Sequence, residues 1–463
     1  MPQPLPTLKV LSLFLFLLIG GSRQGWSQAK NIYQQKPNII WILSEDISTD
    51  LACYGTPVIK TPNLDKMAKD GIRYTNAFTT APVCSPSRSA LITGMYQTTI
   101  GAHNHRSHRK DGYRLPEPVK PITEYLRQAG YYTVLAKNPA PGVQSPLKTD
   151  FNFNPVNPVF DGNDWKERQP GQPFYAQMNM DESHRGKAWA TTVQQHPPQI
   201  DPAKVVLPPF YPNHPVARED WATYLESIQL VDSFVGKVLQ RLQDEGIAEN
   251  TLVIFSGDNG RCHIRDKQFL YDGGLHIPLI MKWPGQLKPG QTNTDLISAI
   301  DVSATILRVA GITPPKYLEG QVMLGPEAKK RAFVIGARDR MDETVDKMRA
   351  VRDKQFKYIK NYYPERPYMQ PNKYKETQYP MWNLLKELHA QGKLTPAQAL
   401  FAAPTKPAEE LYDIVNDPYE LNNLAASAKH QATLKKMRGI LENWIKQTND
   451  QGQYPEKPEA AKL

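Results

Sequence analysis

From Pro37 onward the chain alternates between short continuous apolar runs and longer amphipathic ones. Asn38–Leu43 is an apolar run of strand length, and it exits into Glu45 and Asp46; Thr251–Phe255 repeats the pattern and exits toward Asp258 and Asn259. Such runs have no polar face, so the spacing predicts strands buried on both sides. Helical patterns lie between them. Thr61-Pro62 opens one with Leu64, Met67 and Ala68 on one face and Gly71 at its end. This is the order expected of an N-cap, a first-turn proline and a closing glycine. Ile122, Tyr125, Leu126 and Ala129 predict a second helix, closed by Gly130. Trp221–Leu242 predicts a long one, with Tyr224, Leu225, Ile228, Val231, Val235, Val238 and Leu242 on its apolar stripe and Gly246 beyond it.

Strands and helices in alternation imply an α/β fold, a mixed and mostly parallel sheet sandwiched by helices. Ligands in such sheets sit beyond the carboxyl ends of the strands, where both acidic clusters are expected to meet. A boundary is expected near residues 325–332. Beyond it, Arg331–Ile335, Met348–Arg352 and Phe356–Ile359 read as short strands and Leu434–Trp444 as a final helix, giving a smaller C-terminal α+β subdomain. The expected division is residues 28–328 for a large unit, 329–450 for the small one and a polar, disordered tail at 451–463. The 41 prolines favour long ordered loops over a helical bundle.

The first 27 residues read as a secretory signal: Lys9, then an apolar run from Val10 to Ile19 broken only by Ser12, then small residues including Gly25 and Ser27. The run is too short to span a bilayer and nothing comparable follows, so an exported protein without a membrane span is expected, secreted or periplasmic. Three cysteines, Cys53, Cys84 and Cys262, are too few for a disulfide framework; one pair is possible and one thiol would be left over. The formal net charge is +10, and Lys9 and Arg23 would leave with the signal. That balance suits a polyanionic partner. No nucleic-acid motif and no internal repeat is present, so no nucleic-acid partner is expected.

The stretch with most chemical content is Cys84-Ser85-Pro86-Ser87-Arg88-Ser89-Ala90-Leu91-Ile92-Thr93-Gly94. It resembles, at every defining position, the signature of the type I sulfatases, the formylglycine-dependent members of the alkaline phosphatase-like superfamily. The resemblance implies that a maturation enzyme, formylglycine-generating or anaerobic, oxidises Cys84 to formylglycine, whose hydrate is the nucleophile. Arg88, one helical turn on, would hold that hydrate by charge-assisted hydrogen bonds. Residues 37–46 are similar to the family's first strand, with Glu45 standing where an aspartate is usual. Ser256-Gly257-Asp258-Asn259-Gly260 resembles its second metal motif. Glu45, Asp46, Asp258 and Asn259, with the residue made from Cys84, are therefore the implied metal ligands. Their oxygen donors suit Ca2+ first and Mg2+ second.

Further matches extend the resemblance over roughly residues 37–426. His184 ends a segment similar to a family strand, and Lys267 precedes Tyr271-Asp272-Gly273-Gly274 as the family's sulfate-contacting lysine does. The family's middle lysine has two candidates. Lys148, in Lys148-Thr149-Asp150-Phe151-Asn152-Phe153, resembles a variant of bacterial polysaccharide sulfatases and is preferred; Lys137, after Gly130-Tyr131-Tyr132-Thr133, is the alternative. The histidine usual beside it is missing at both, and His263 is a candidate to protonate the leaving group instead. The basic stretch containing His103, His105 and Arg106, followed by His108, Arg109 and Lys110, and the pair Arg338 and Arg340, are candidate substrate contacts. The segment from Glu410-Leu411-Tyr412-Asp413 to Leu424 matches the family's closing motif and reads as structural.

The expected function is hydrolysis of sulfate esters on a sulfated poly- or oligosaccharide. A phosphate or phosphonate monoester hydrolase of the same superfamily, and a non-catalytic binder of sulfated glycans, are the alternatives.

Overall fold

A computed structural model of the chain describes residues 1–4, 36–186 and 196–461. The proposed signal falls almost wholly outside the described residues. None of the described helices is long and apolar enough to cross a membrane.

The large sheet contains β1 (Asn38–Ser44), β2 (Ile72–Phe78), β3 (Tyr132–Leu135), β4 (Phe174–Met180), β5 (Thr251–Gly257), β6 (His276–Lys282), β7 (Gln291–Asn293) and β8 (Ile297–Ser298). Its order is β3-β4-β1-β5-β6-β2-β7, with β8 also on β2. Pairing is parallel throughout except on the two sides of β6. The central strands are apolar on both faces because both faces are covered. Ile40 and Ile42 of β1 join Val253 and Phe255 of β5 in one core, beneath the helix Pro215–Asp244. Ile39, Trp41, Leu43, Leu252 and Ile254 enter the opposite core with the helices Cys84–Thr93, Ile122–Gln128 and Ile300–Val309. Each such side chain, fully buried, contributes roughly 1.5–3 kcal/mol. All seven stripe residues predicted for the long helix are buried.

The smaller sheet is antiparallel, in the order β12-β11-β10-β9, from β9 (Val334–Arg338), β10 (Met348–Arg352), β11 (Phe356–Asn361) and β12 (Glu409–Asp413). The helix Gln431–Gln447 covers one face through Leu434, Met437, Leu441 and Trp444. Glu410, in the closing motif, accepts hydrogen bonds from the hydroxyls of Tyr271, Tyr368 and Tyr412, which ties the two sheets together.

Three local expectations need adjustment. Gly71 follows the end of its helix as expected, but what requires a glycine there is close approach to β6, since a Cβ would lie 2.1 Å from the carbonyl oxygen of Met281. The strand expected at Arg331–Ile335 begins three residues later, because Arg331 forms an ion pair with Asp301 instead. The tail expected to be disordered is docked: Asp450 pairs with Arg349 and Glu456 with Arg340, and Ala460 is buried. All three cysteines are free thiols.

Candidate active site

Parallel register builds the site. Ser44 of β1 lies opposite Met180 of β4 and Gly257 of β5, so the three strands end at one level. The chain leaving them carries Glu45-Asp46, His184 and Asp258-Asn259 onto the same edge. Backbone hydrogen bonds hold the exits together: Glu45 donates to the Met180 carbonyl at 2.9 Å, Asp258 to Ser44 at 3.0 Å and Ile47 to Asn259 at 3.1 Å. Asp46 adopts φ 53°, a left-handed turn that its neighbours enforce.

Cys84 is the first residue of the helix Cys84–Thr93, every residue of which is buried. Ser89 and Thr93 satisfy their hydroxyls on carbonyls four residues back, at 2.7 Å each, so a polar helix can be buried whole. The Ser87 hydroxyl bonds Thr79 at 2.8 Å and the Asp258 carbonyl, fastening the helix to the end of β5. Cys84 therefore stands at a helix N-terminus, where the dipole favours an anion. Burial opposes ionisation of its thiol, but Lys267 and Lys148, with hydrogen bonds from His105 and His184, pull it well below the ordinary thiol value.

The acidic groups are held by cations on three sides. Arg88 donates from Nε to Asp258 at 3.0 Å and from Nη2 to Glu45 at 3.0 Å. Lys148 reaches the other Glu45 oxygen at 3.1 Å, and Lys267 reaches Asp46 at 2.6 Å. His184 Nε2 lies 3.6 Å from Glu45. Against the cost of burial, Arg88, His184 and Lys148 hold Glu45 down at about 2. Lys267 and His184 do the same for Asp46, also about 2. Asp258 goes the other way, to about 7: burial dominates, Arg88 offsets only part of it, and Cys84, Glu45 and Asp46 add repulsion.

Glu45, Asp46, Asp258 and Asn259 are fully buried and offer oxygen donors only. The Oδ1 of Asn259 is a buried acceptor without a hydrogen-bond partner. Three crowded carboxylates and an orphaned amide oxygen are the chemistry of a hard-cation site, so these residues fit a divalent metal. Among the described residues, ligand atoms of Glu45, Cys84 and His184, and of Cys84, His105 and Asp150, also lie within 4.8 Å of one another. Both groups surround the Cys84 sulfur.

The Cys84 end of this cluster borders a cavity of about 490 Å³ lined by Cys84, His105, Arg106, His184, Lys267 and Asp342, among others. A larger cavity of about 850 Å³ adjoins it along Arg185, Gly186 and Gln378 but contains none of the residues around Cys84. His105 donates from Nδ1 to Asp342 at 2.9 Å, and its imidazole is held above the ordinary value despite burial by Asp342 and Cys84. Lys267 is presented by a loop that two glycines allow to close: a Cβ at Gly273 would lie 1.8 Å from Asp266, and one at Gly274 would lie 2.2 Å from the carbonyl oxygens of Asp266 and Phe269. The buried Lys375 clamps the same loop, donating to the carbonyls of Ile264 and Lys267 at 2.8 Å each.

Several predicted residues lie elsewhere. Lys137 is exposed and does not line the cavity, whereas Lys148 is in the cluster. His263 is fully buried against Trp221, Tyr224 and Tyr211, with its nearest acidic partner Asp220 at 3.5 Å. Burial, with Arg185 and Arg261 nearby, holds it well below the ordinary imidazole value, and it does not line the cavity. His103 is buried, and burial lowers its value too. Arg338 is buried over the Phe269 ring and 3.7 Å from Asp346, and Arg340 is taken up by Glu456. Neither arginine lines the cavity. Asp150, Asp342, Lys373 and Tyr374 are the site residues that sequence reasoning missed. Asp150 and Asp342 lie inside stretches singled out for other residues, Lys148 to Phe153 and Arg338 to Asp342; Lys373 and Tyr374 carried no signal.

Comparison with known proteins agrees with this geometry. A family model described as Sulfatase matches residues 37–312, and one described as N-sulphoglucosamine sulphohydrolase, C-terminal, matches residues 260–387. The chain is 34% identical to an ulvan-active sulfatase of Formosa agariphila, over 93% of this chain and 78% of that one. It is 28% identical to human N-sulphoglucosamine sulphohydrolase, over 89% and 90%. A solved protein in complex with its substrate D-glucosamine-2-N,6-O-disulfate has the same fold, with a TM-score of 0.63 and 18% identity, over 90% of this chain and 99% of that one.

Proposed function

The chain belongs to the sulfatase family and is a sulfuric ester hydrolase, and from that premise we propose that it is exported and desulfates a sulfated poly- or oligosaccharide through a nucleophile made from Cys84. The carrying observation is the placement of Cys84 at a buried helix N-terminus, ringed by Lys267, Lys148, His184 and His105. Two relatives whose names specify ulvan and N-sulphoglucosamine support a saccharide substrate. The basic balance of the chain and the signal-like residues 1–27 support the same reading.

Lys267, Lys148 and His184 bind the sulfate oxygens, neutralising a group whose entry into a site holding three carboxylates would otherwise be opposed. Arg88 fixes Glu45 and Asp258 relative to Cys84. Protonation of the leaving oxygen falls to the histidines of the cavity, His184 and His105, which lie beside the carboxylates of Glu45 and Asp342. A divalent cation held by Glu45, Asp46, Asp258 and Asn259, calcium before magnesium, would supply Lewis-acid stabilisation of charge on a sulfate oxygen. Formylglycine hydrate would supply one hydroxyl to attack sulfur and a second whose deprotonation regenerates the aldehyde and releases sulfate.

The test is sulfate release from sulfated oligosaccharides, with aryl sulfate and aryl phosphate turned over in parallel by protein made in a maturing host. Sulfate release with aryl sulfate preferred supports the proposal. Preference for aryl phosphate, or saccharide binding without any release, overturns it in favour of the phosphatase or the binder.

A further inference from the structure

The C-terminal tail docks behind the wall of the cavity, on residues that do not themselves line it. Arg349 pairs with Asp450 at 2.6 Å, and a Cβ at Gly452 would lie 1.9 Å from the Arg349 guanidinium, so the tail starts tightly seated. Gln451 donates to the Thr98 carbonyl at 3.0 Å. Further on, Glu456 takes both ends of the Arg340 guanidinium, at 2.6 and 2.7 Å, and accepts from Ser107 at 2.9 Å. His108 donates to the carbonyl of Ala460 at 3.3 Å.

Arg340 in turn ties together two segments that line the cavity. Its backbone accepts from His105 at 2.9 Å and donates to the Asn104 side chain at 3.0 Å. Its Nη1 donates to the Asp342 carbonyl at 2.8 Å. These segments carry His105, Arg106 and Asp342, all three on the cavity wall. Arg106 and Asp342 sit at φ 55° and 49°, and His108 at 61°, conformations that side-chain-bearing residues adopt only when neighbours enforce them. The bidentate fork of Glu456 and Arg340 is a strong, geometrically specific constraint on both.

We propose that Glu456 is a positioning residue for substrate selection: through Arg340 it holds the Arg106 and Asp342 segments in the shape that accepts the saccharide beyond its sulfate group. The proposal rests on the saccharide reading above. A small aryl sulfate needs only the groups around Cys84, whereas a saccharide extends along the wall.

The experiment compares wild type, Glu456→Gln and Glu456→Asp on a sulfated oligosaccharide and on an aryl sulfate, with thermal unfolding of each protein. Glutamine removes the anion at constant size; aspartate keeps it. The expected result for Glu456→Gln is a fall of about tenfold in kcat/KM on the oligosaccharide against less than about threefold on the aryl sulfate. Glu456→Asp should recover most of the loss. Equal losses on both substrates, tracking a lowered unfolding temperature, would reduce Glu456 to a structural role and overturn the proposal, as would a Glu456→Gln protein with unchanged saccharide kinetics. Wild-type protein that desulfates the aryl substrate but not the oligosaccharide would fail the saccharide reading instead, and is told apart by needing no variant.

Discussion

Two regions meet around Cys84, and they are built on different principles. On one side, Glu45, Asp46, Asp258, Asn259 and His184 leave the ends of adjacent parallel strands, and backbone hydrogen bonds between the exits fix them. On the other, His105, Arg106, Asp342 and Tyr374 come from separate loops and a short helix, held by side-chain ion pairs and by a tail more than a hundred residues away in sequence from Asp342. The first arrangement gives fixed geometry for bond making. The second gives a wall whose shape depends on a few polar contacts, and which can therefore change with substrate while the strand edge stays as it is.

Substitutions at the strand edge, and at Cys84 on the helix that Ser87 fastens to the end of β5, should then abolish turnover, with the largest effect at Cys84. Cys84→Ala should lower sulfate release by at least about 10⁴-fold, with the unfolding temperature nearly unchanged, since the covalent route is lost and little volume goes with it. A residual rate near wild type would mean that the nucleophile lies elsewhere.

The two lysine candidates sharpen the comparison next. Lys148→Ala removes a cation 3.1 Å from Glu45 and should cost roughly 10–100-fold in kcat/KM. Lys137→Ala, at an exposed position off the cavity, should stay within about twofold of wild type. The opposite ranking would reverse the assignment.

The remaining effect is on stability and lies just outside the edge. Burial of Glu182, with Asp181 and Glu45 nearby and only its own backbone hydrogen bond opposing, pushes its carboxyl up to about 8 from 4.5. The folded state thus resists ionising it. Its contribution is at its most favourable below pH 4.5, declines as pH rises toward 8 and stays low above that. Glu182→Gln should match wild type near pH 4 and exceed it by a few kcal/mol near pH 9, measured by denaturant unfolding. Parallel curves across that range would place the group in water.

The strand edge was legible in the sequence for the reason that makes it rigid. Asn38–Leu43 and Thr251–Phe255 are apolar on both faces because they are central strands, and their acidic exits follow within a few residues, so motif and position coincide. The Cys84 helix was legible because its signature is contiguous. Where residues meet only through distant segments, local pattern misled. Lys137 follows a strand that stops at Leu135 and turns outward, whereas Lys148 is brought back by Asn179 on its carbonyl and by Ser89, which accepts from the Asn152 backbone N–H. His263 follows the acidic exit by four residues yet is folded under Trp221. Arg338 and Arg340 looked free for a substrate because nothing in their neighbourhood revealed Asp346 or Glu456 as partners. The tail's polar composition concealed Asp450 and Glu456 in the same way.

The proposed route depends on one atom, the Cys84 sulfur, and is tested most directly by weighing the Cys84 peptide from protein produced in a host with an active maturation enzyme. Conversion of thiol to aldehyde lowers the peptide mass by about 18 Da, and that species is the expected result. Unmodified cysteine throughout, in a host shown to mature another sulfatase, would contradict it.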